Sequence, residues 1–125
     1  MIYLDTHVIL WLYEGLLDQL SDFAKQQIEE NDLIISPIVC LELQYLFEIK
    51  RITRKSEVIL NELVNKISLE ISQEPFQKIV ETALTLSWTR DPFDRLIVAT
   101  AQISNTLLLT KDKNITLNYK YAVWN

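Results

Sequence analysis

Four acidic side chains stand where a strand-like apolar run gives way to a helix, or just inside the helix that follows. Asp5 comes after Met1–Leu4, Glu42 lies in the helix after Leu33–Ile35, Asp94 sits in the first helical turn opened by Asp91, and Asp112 follows Leu107–Thr110. Ligands of open α/β sheets gather beyond the carboxyl ends of the strands, so these positions could converge on one cleft. Carboxylates brought together repel one another unless a cation lies between them. Hard oxygen ligands favour Mg2+ or Mn2+, ions that keep several waters for substrate phosphates to displace. Glu42 has the fewest alternative explanations, because a carboxylate on or beside an apolar helical stripe is costly without a cation or a partner.

Composition removes several other chemistries. Gly15 is the only glycine, so no dinucleotide-binding turn, phosphate-binding Walker loop or nucleophile elbow can be present. One histidine, His7, and one cysteine, Cys40, cannot build a four-ligand zinc site, and the lone cysteine excludes an intramolecular disulfide. Its place within Ser-Pro-Ile-Val-Cys-Leu suggests a small core residue and fits a cytoplasmic chain. No basic segment precedes an apolar run at the start, and no apolar stretch approaches the ~18 residues of a membrane span, so neither a secretion signal nor a membrane segment is expected. Seventeen acidic against twelve basic residues give a net charge of −5, the wrong sign for gripping nucleic acid by bulk electrostatics. Any such substrate must be held locally, by a metal or a basic patch.

The elements that would position the acids follow from periodicity. Met1–Leu4 reads as a buried strand, and Thr6–Tyr13 as a helix that Gly15 stops. Ser21 caps a polar amphipathic helix through Glu30, and Leu33–Ile35 is the second strand. Ser36 and Pro37 cap and open a helix to about Ile49. After the basic run Lys50, Arg51, Arg54 and Lys55, a helix over Ser56–Lys66 completes an αα-hairpin with a basic tip. Leu69–Ile71 is a third strand, Phe76–Ser87 a helix, and Asp91-Pro92-Phe93-Asp94 opens another through Ile103. Leu107–Thr110 and Tyr121–Trp124 supply the fourth strand and a last edge strand. Strands alternating with helices predict a mainly parallel sheet of four to five strands with helices on both faces. Neither repeat nor linker divides residues 1–125, so one domain is expected at this length and 49% apolar content.

The runs Met-Ile-Tyr-Leu-Asp-Thr-His-Val-Ile-Leu-Trp, Ser-Pro-Ile-Val-Cys-Leu-Glu-Leu, Arg-Asp-Pro-Phe-Asp-Arg-Leu-Ile-Val-Ala-Thr-Ala and Leu-Leu-Thr-Lys-Asp occur here in that order. In order and spacing the chain resembles the PIN-domain toxins of the VapC type over nearly its whole length. The resemblance implies a three-layer α/β/α fold with a protruding αα-hairpin, and ribonuclease activity. It matches Asp5, Glu42, Asp94 and Asp112 to the family's acidic quartet, which holds one or two Mg2+ or Mn2+ ions, and sets Thr6, Ser36 and Thr110 among the polar groups behind it. Asp91 is less well matched, since the commoner family pattern aligns with Asp94. A homodimer, and a cognate antitoxin whose C-terminal segment lies near the active site, are likewise implied by the resemblance alone.

Plainer explanations compete at each position. Asp5 also suits a strand-ending turn, Asp91 before Pro92 a helix cap, Asp94 a first-turn acid favoured by the helix dipole, and Asp112 the polar turn Lys-Asp-Lys-Asn. His7 reads as a packed histidine, Trp11, Tyr13, Tyr45 and Phe47 as core, and the basic run as a solvated tip with RNA-phosphate binding as the alternative. Among functions, a haloacid-dehalogenase-like phosphohydrolase also begins with strand and Asp, but wants a second Asp where His7 stands. A PIN scaffold that binds RNA or protein without cutting remains a different class; retention of all four acids favours catalysis.

Overall fold

The computed structural model describes all 125 residues. Five strands, β1 (Ile2–Leu4), β2 (Leu33–Ile35), β3 (Glu70–Ile71), β4 (Leu107–Leu109) and β5 (Ala122–Val123), form one sheet in the order β3-β2-β1-β4-β5. Every pairing is parallel, with Tyr3 opposite Ile34 on one side and Leu108 on the other. The three central strands are Ile-Tyr-Leu, Leu-Ile-Ile and Leu-Leu-Leu, and all but Leu107 is buried. Continuous apolar runs of this kind mark strands covered on both faces. The two edge strands are only two residues each, which leaves little unpaired backbone to recruit another sheet.

Seven α-helices connect the strands: α1 (Thr6–Glu14), α2 (Asp22–Glu30), α3 (Pro37–Glu48), α4 (Ser56–Ile67), α5 (Phe76–Ala83), α6 (Pro92–Ile103) and α7 (Lys113–Asn118). The chain winds from β1 outward to β3, then crosses back to β4 and β5, so its direction reverses at β1. With right-handed crossovers, that reversal distributes the connections over both faces and gives the α/β/α layering. A single cluster of 28 buried apolar side chains joins residues from Ile2 to Tyr119, so one core supports the entire sheet. No helix is long and apolar enough to cross a membrane.

The helix ends explain where the elements stop. Gly15 takes φ 71°, the left-handed turn that α1 needs to end, and its amide bonds to Trp11 O. At the tip of the α3–α4 hairpin Lys50 adopts φ 63°, a conformation a side chain makes costly. Backbone bonds Lys50 N to Phe47 O (3.0 Å) and Arg51 N to Leu46 O (2.9 Å) hold it there. Ser56 ties α4 back to α3, donating from its hydroxyl to Cys40 O at 2.7 Å.

Four details differ from the sequence expectations. The helix expected over Phe76–Ser87 stops at Ala83, where the chain passes into turns with Thr85 N bonded to Thr82 O and Leu86 N to Ala83 O, both at 3.1 Å, and the Arg95 guanidinium reaches back from α6 to donate to Ala83 O at 3.1 and 2.9 Å. Leu69 is buried before β3 rather than paired in it, and a 3₁₀ turn forms at Leu17–Gln19. The segment after Asp112, which resembles a polar turn, is the short helix α7, anchored by the fully buried Ile115.

Candidate active site

At the carboxyl end of the sheet a cleft of about 340 Å³ is lined by Asp5, His7, Val8, Trp11, Glu42, Asp91, Asp94, Lys111 and Asp112. Topology brings them together. Asp5 leaves β1 at the point where the strand order reverses, the position at which open sheets bind ligands. Glu42 reaches in from α3, Asp91 and Asp94 from the N-terminus of α6, and Lys111 and Asp112 from the end of β4.

Asp5 is the best-held acid, 7% exposed at the N-cap of α1. Thr110 Oγ1 donates to its Oδ2 at 2.6 Å, and the Thr6 amide donates to Oδ1 at 2.8 Å. Thr6 also donates from its hydroxyl to Glu42 Oε1, so one residue orients carboxylates from two elements. The Thr110 hydroxyl in turn accepts from Asp112 N at 3.1 Å, which fixes the turn carrying the last acid. Asp112 itself caps α7, accepting from Asn114 N at 2.8 Å and Ile115 N at 3.1 Å. Asp91 likewise caps α6, accepting from Phe93 N at 2.9 Å and Asp94 N at 3.3 Å, and it still lines the cleft. Capping and lining therefore coexist at both positions.

Ser36 lies elsewhere. Its buried hydroxyl pairs with Thr100 Oγ1 at 2.8 Å, and Thr100 spends its proton on Leu96 O at 2.7 Å, so Ser36 is the donor. Ser36 also caps α3 through Ile38 N at 3.3 Å. It joins α3 to α6 and makes no hydrogen bond to any of the acids.

Charge is unbalanced in the cleft. Burial lifts the Asp5 carboxyl above its usual range, against the Thr110 and Thr6 bonds that pull it down. Glu42 is raised by burial, reinforced by Asp5 and Asp91 and opposed by the Thr6 bond. Asp94 is pushed up to about 7, first by burial and then by Asp91, Asp5, Asp112 and Glu42. No hydrogen bond relieves it. Three acids raised together signal a shortage of positive charge that a cation would remedy.

The donor set is all oxygen, as a hard divalent ion requires. No three of the His, Cys, Asp and Glu side chains form a ready-made metal cage. Mg2+ does not demand one, since it binds through one or two carboxylates and keeps waters in its remaining positions. The residues therefore fit a hydrated divalent ion better than a dehydrated one.

Sequence reasoning missed part of the wall. Trp11, whose spacing suggests core, is half-buried in the cleft; Trp124 meets its ring edge-on at 5.9 Å, and Lys111 Nζ lies 5.8 Å from its centre. Ser21 donates to Trp124 O at 2.6 Å, bracing that contact. His7, which in sequence reads as a packed residue, is exposed at the rim. The spacing of His7 and Trp11, one helical turn apart, was the available signal: both share the face that begins at Asp5.

Comparison with known proteins agrees with this geometry. The PIN domain family model matches residues 2–120. Ribonuclease VapC22 of Mycobacterium tuberculosis is 35% identical over 115 residues, spanning 90% of this chain and 87% of that protein. Among solved structures, VapBC2 from Rickettsia felis, bound to a DNA fragment from its promoter, aligns with TM-score 0.69 at 22% identity over 100% of both chains. A toxin-antitoxin complex from Klebsiella pneumoniae aligns with TM-score 0.69 at 22% identity, covering 98% of this chain and 96% of that one. At these identities the structures speak for the fold alone. The family match over residues 2–120, joined by a relative 35% identical across nine-tenths of this chain, establishes that the chain belongs to the PIN domain family.

Proposed function

We propose that this chain is a divalent-metal-dependent endoribonuclease, the toxin of a type II toxin-antitoxin pair, acting as one domain over residues 1–125. The observation that carries the reading is the cleft itself: five carboxylates around one hollow, with Asp5, Glu42 and Asp94 all raised. Similarity to a protein named a ribonuclease supports the activity, and similarity to toxin-antitoxin complexes supports a cognate antitoxin as partner.

Asp5, Glu42, Asp94 and Asp112 would hold one or two Mg2+ or Mn2+ ions. Such an ion supplies positive charge for the scissile phosphate and lowers the pKa of an attacking water. The chain's own contribution is placement. Thr110 and Thr6 fix both oxygens of Asp5, and Thr6 aims Glu42 at the same space. Lys111, on the cleft wall, can pair with a phosphate oxygen of the substrate, and the half-buried Trp11 offers a flat face to a neighbouring base. Hydrolysis breaks one phosphorus–oxygen bond of the RNA and adds water across it.

Exposed Leu41, Tyr45, Phe76 and Leu84 support a homodimer and an apolar antitoxin contact. The cytoplasm is the compartment in which a protein of this kind meets RNA. The test is cleavage of an RNA panel by the purified chain in Mg2+, with and without EDTA. We expect Asp5→Asn and Asp94→Asn each to lower the rate by about a hundredfold or more, the size of effect that follows loss of one electrostatic group. Parent-like cleavage by both variants would exclude the reading.

A further inference from the structure

Resting on the ribonuclease reading, we propose that the tip of the α3–α4 hairpin is a second RNA-backbone site, gripping single-stranded RNA that leaves the cleft along α1. Four of the chain's twelve cationic side chains, Lys50, Arg51, Arg54 and Lys55, crowd into this tip, and all are exposed. None is neutralised, because the chain's one ion pair joins Lys66 to Glu62 at 3.3 Å. Arg51 and Arg54 line a hollow of about 240 Å³ together with Tyr13, Glu14, Ile52, Thr53 and Ile59. In a protein of net charge −5, an uncompensated cluster of this density concentrates the attraction for a polyanion at one place.

Helix α1 joins this hollow to the catalytic cleft. His7 and Trp11 line the cleft and Glu14 lines the hollow, and the spacings of four and three residues put all three on one helical face. From Thr6 to Glu14 the helix rises about 12 Å at ~1.5 Å per residue. That distance is roughly three to four stacked nucleotides at ~3.4 Å each. A strand cut at the acids would thus run over Trp11 and deliver a phosphate to Arg51 and Arg54, with the half-buried Tyr13 ring beside a base. Glu14 alone among the residues lining the hollow carries negative charge.

The tip is built before substrate arrives. The backbone bonds of Lys50 and Arg51, the half-buried Ile52 and the Ser56 Oγ to Cys40 O bond hold the loop without using any of the four charged heads. Arg51 and Arg54 can therefore be replaced without disturbing the fold.

The test measures binding of fluorescently labelled, mixed-sequence oligoribonucleotides of twelve and of two nucleotides to the parent and to an Arg51→Ala, Arg54→Ala double variant. The twelve-mer should bind the variant about tenfold more weakly at low salt, with the slope of log affinity against log salt shallower by roughly 1.4, at ~0.7 per single-strand phosphate. The two-mer, too short to span cleft and tip, should bind both alike. Arg51→Lys, Arg54→Lys should keep the parent's salt slope. Equal twelve-mer affinity, equal losses for both lengths, or a loss confined to binding of a protein inhibitor would each overturn the proposal. Absence of Mg2+-dependent cleavage with the length-dependent loss intact would instead remove the ribonuclease reading and leave the tip as an RNA site.

Discussion

Asp94 should destabilise the metal-free protein at neutral and alkaline pH, and Asp94→Asn should show it. Its carboxyl is raised from 3.8 to about 7, chiefly by burial and then by the four acids around it. A carboxyl with a raised folded-state pKa favours folding in its protonated form. Stability is then full below pH 3.8, declines as pH rises, and reaches its floor above pH 7. At ~1.4 kcal/mol per unit the shift sets a ceiling of about 4 kcal/mol. Asp94 is only partly buried, so solvent screening brings this to about 1–2 kcal/mol, and its place in the first turn of α6 returns roughly 0.5 kcal/mol. Asparagine fills the same space, and no bond to the carboxylate is lost. In EDTA at pH 8 the variant should melt about 3–8 °C above the parent, and the difference should vanish near pH 3.5. Millimolar Mg2+ should stabilise the parent and barely move the variant, because a ligand that binds only the folded state raises its stability. Coincident melting curves at pH 8, or a variant less stable than the parent there, would refute the electrostatic reasoning.

Two further substitutions separate positioning from capping. Thr110→Val removes the donor to buried Asp5, so denaturant unfolding at pH 7 should show a loss of about 1–3 kcal/mol together with reduced cleavage, and Thr110→Ser should restore both. Asp112→Asn keeps an acceptor for Asn114 N and Ile115 N, whereas Asp112→Ala does not. Both variants should lose RNA cleavage, but only the alanine should lose about 1 kcal/mol of stability, read as the midpoint of a urea titration.

The strands and most helices were legible because they follow short-range rules. Three consecutive buried apolar residues each at β1 and β2, caps at Ser21 and Ser36, and Gly15 after α1 are local statements, and the chain obeys them. Much of the gathering of the acids into one cleft followed from topology, since Asp5 and Asp112 stand beyond the carboxyl ends of β1 and β4 and Glu42 in the helix that leaves β2, whereas Asp94 lies on the second helix after β3. What escaped depends on contacts between distant residues. The end of α5 is satisfied by a guanidinium from Arg95, and no periodicity within Phe76–Ser87 announces it. Ser36 was assigned through resemblance to the surroundings of the acids, yet its hydroxyl finds Thr100, 64 residues away. Helix α7 spans six residues, too few for an amphipathic pattern, and only the burial of Ile115 distinguishes it from a turn. Lys111 carried no signal, because one lysine in a polar segment looks like any other until the fold turns it to the cleft.

The bond from Thr110 to Asp5 spans 105 positions. A chain still emerging from the ribosome has Asp5 and Glu42 long before it has β4, and until Leu107–Asp112 emerge neither the last acid nor the hydroxyl that steadies the first exists. If the protein cuts RNA, it is harmless to the machine that makes it until that stretch has emerged. The interval in which an inhibitor must already be waiting then opens only once β4 and Asp112 have emerged.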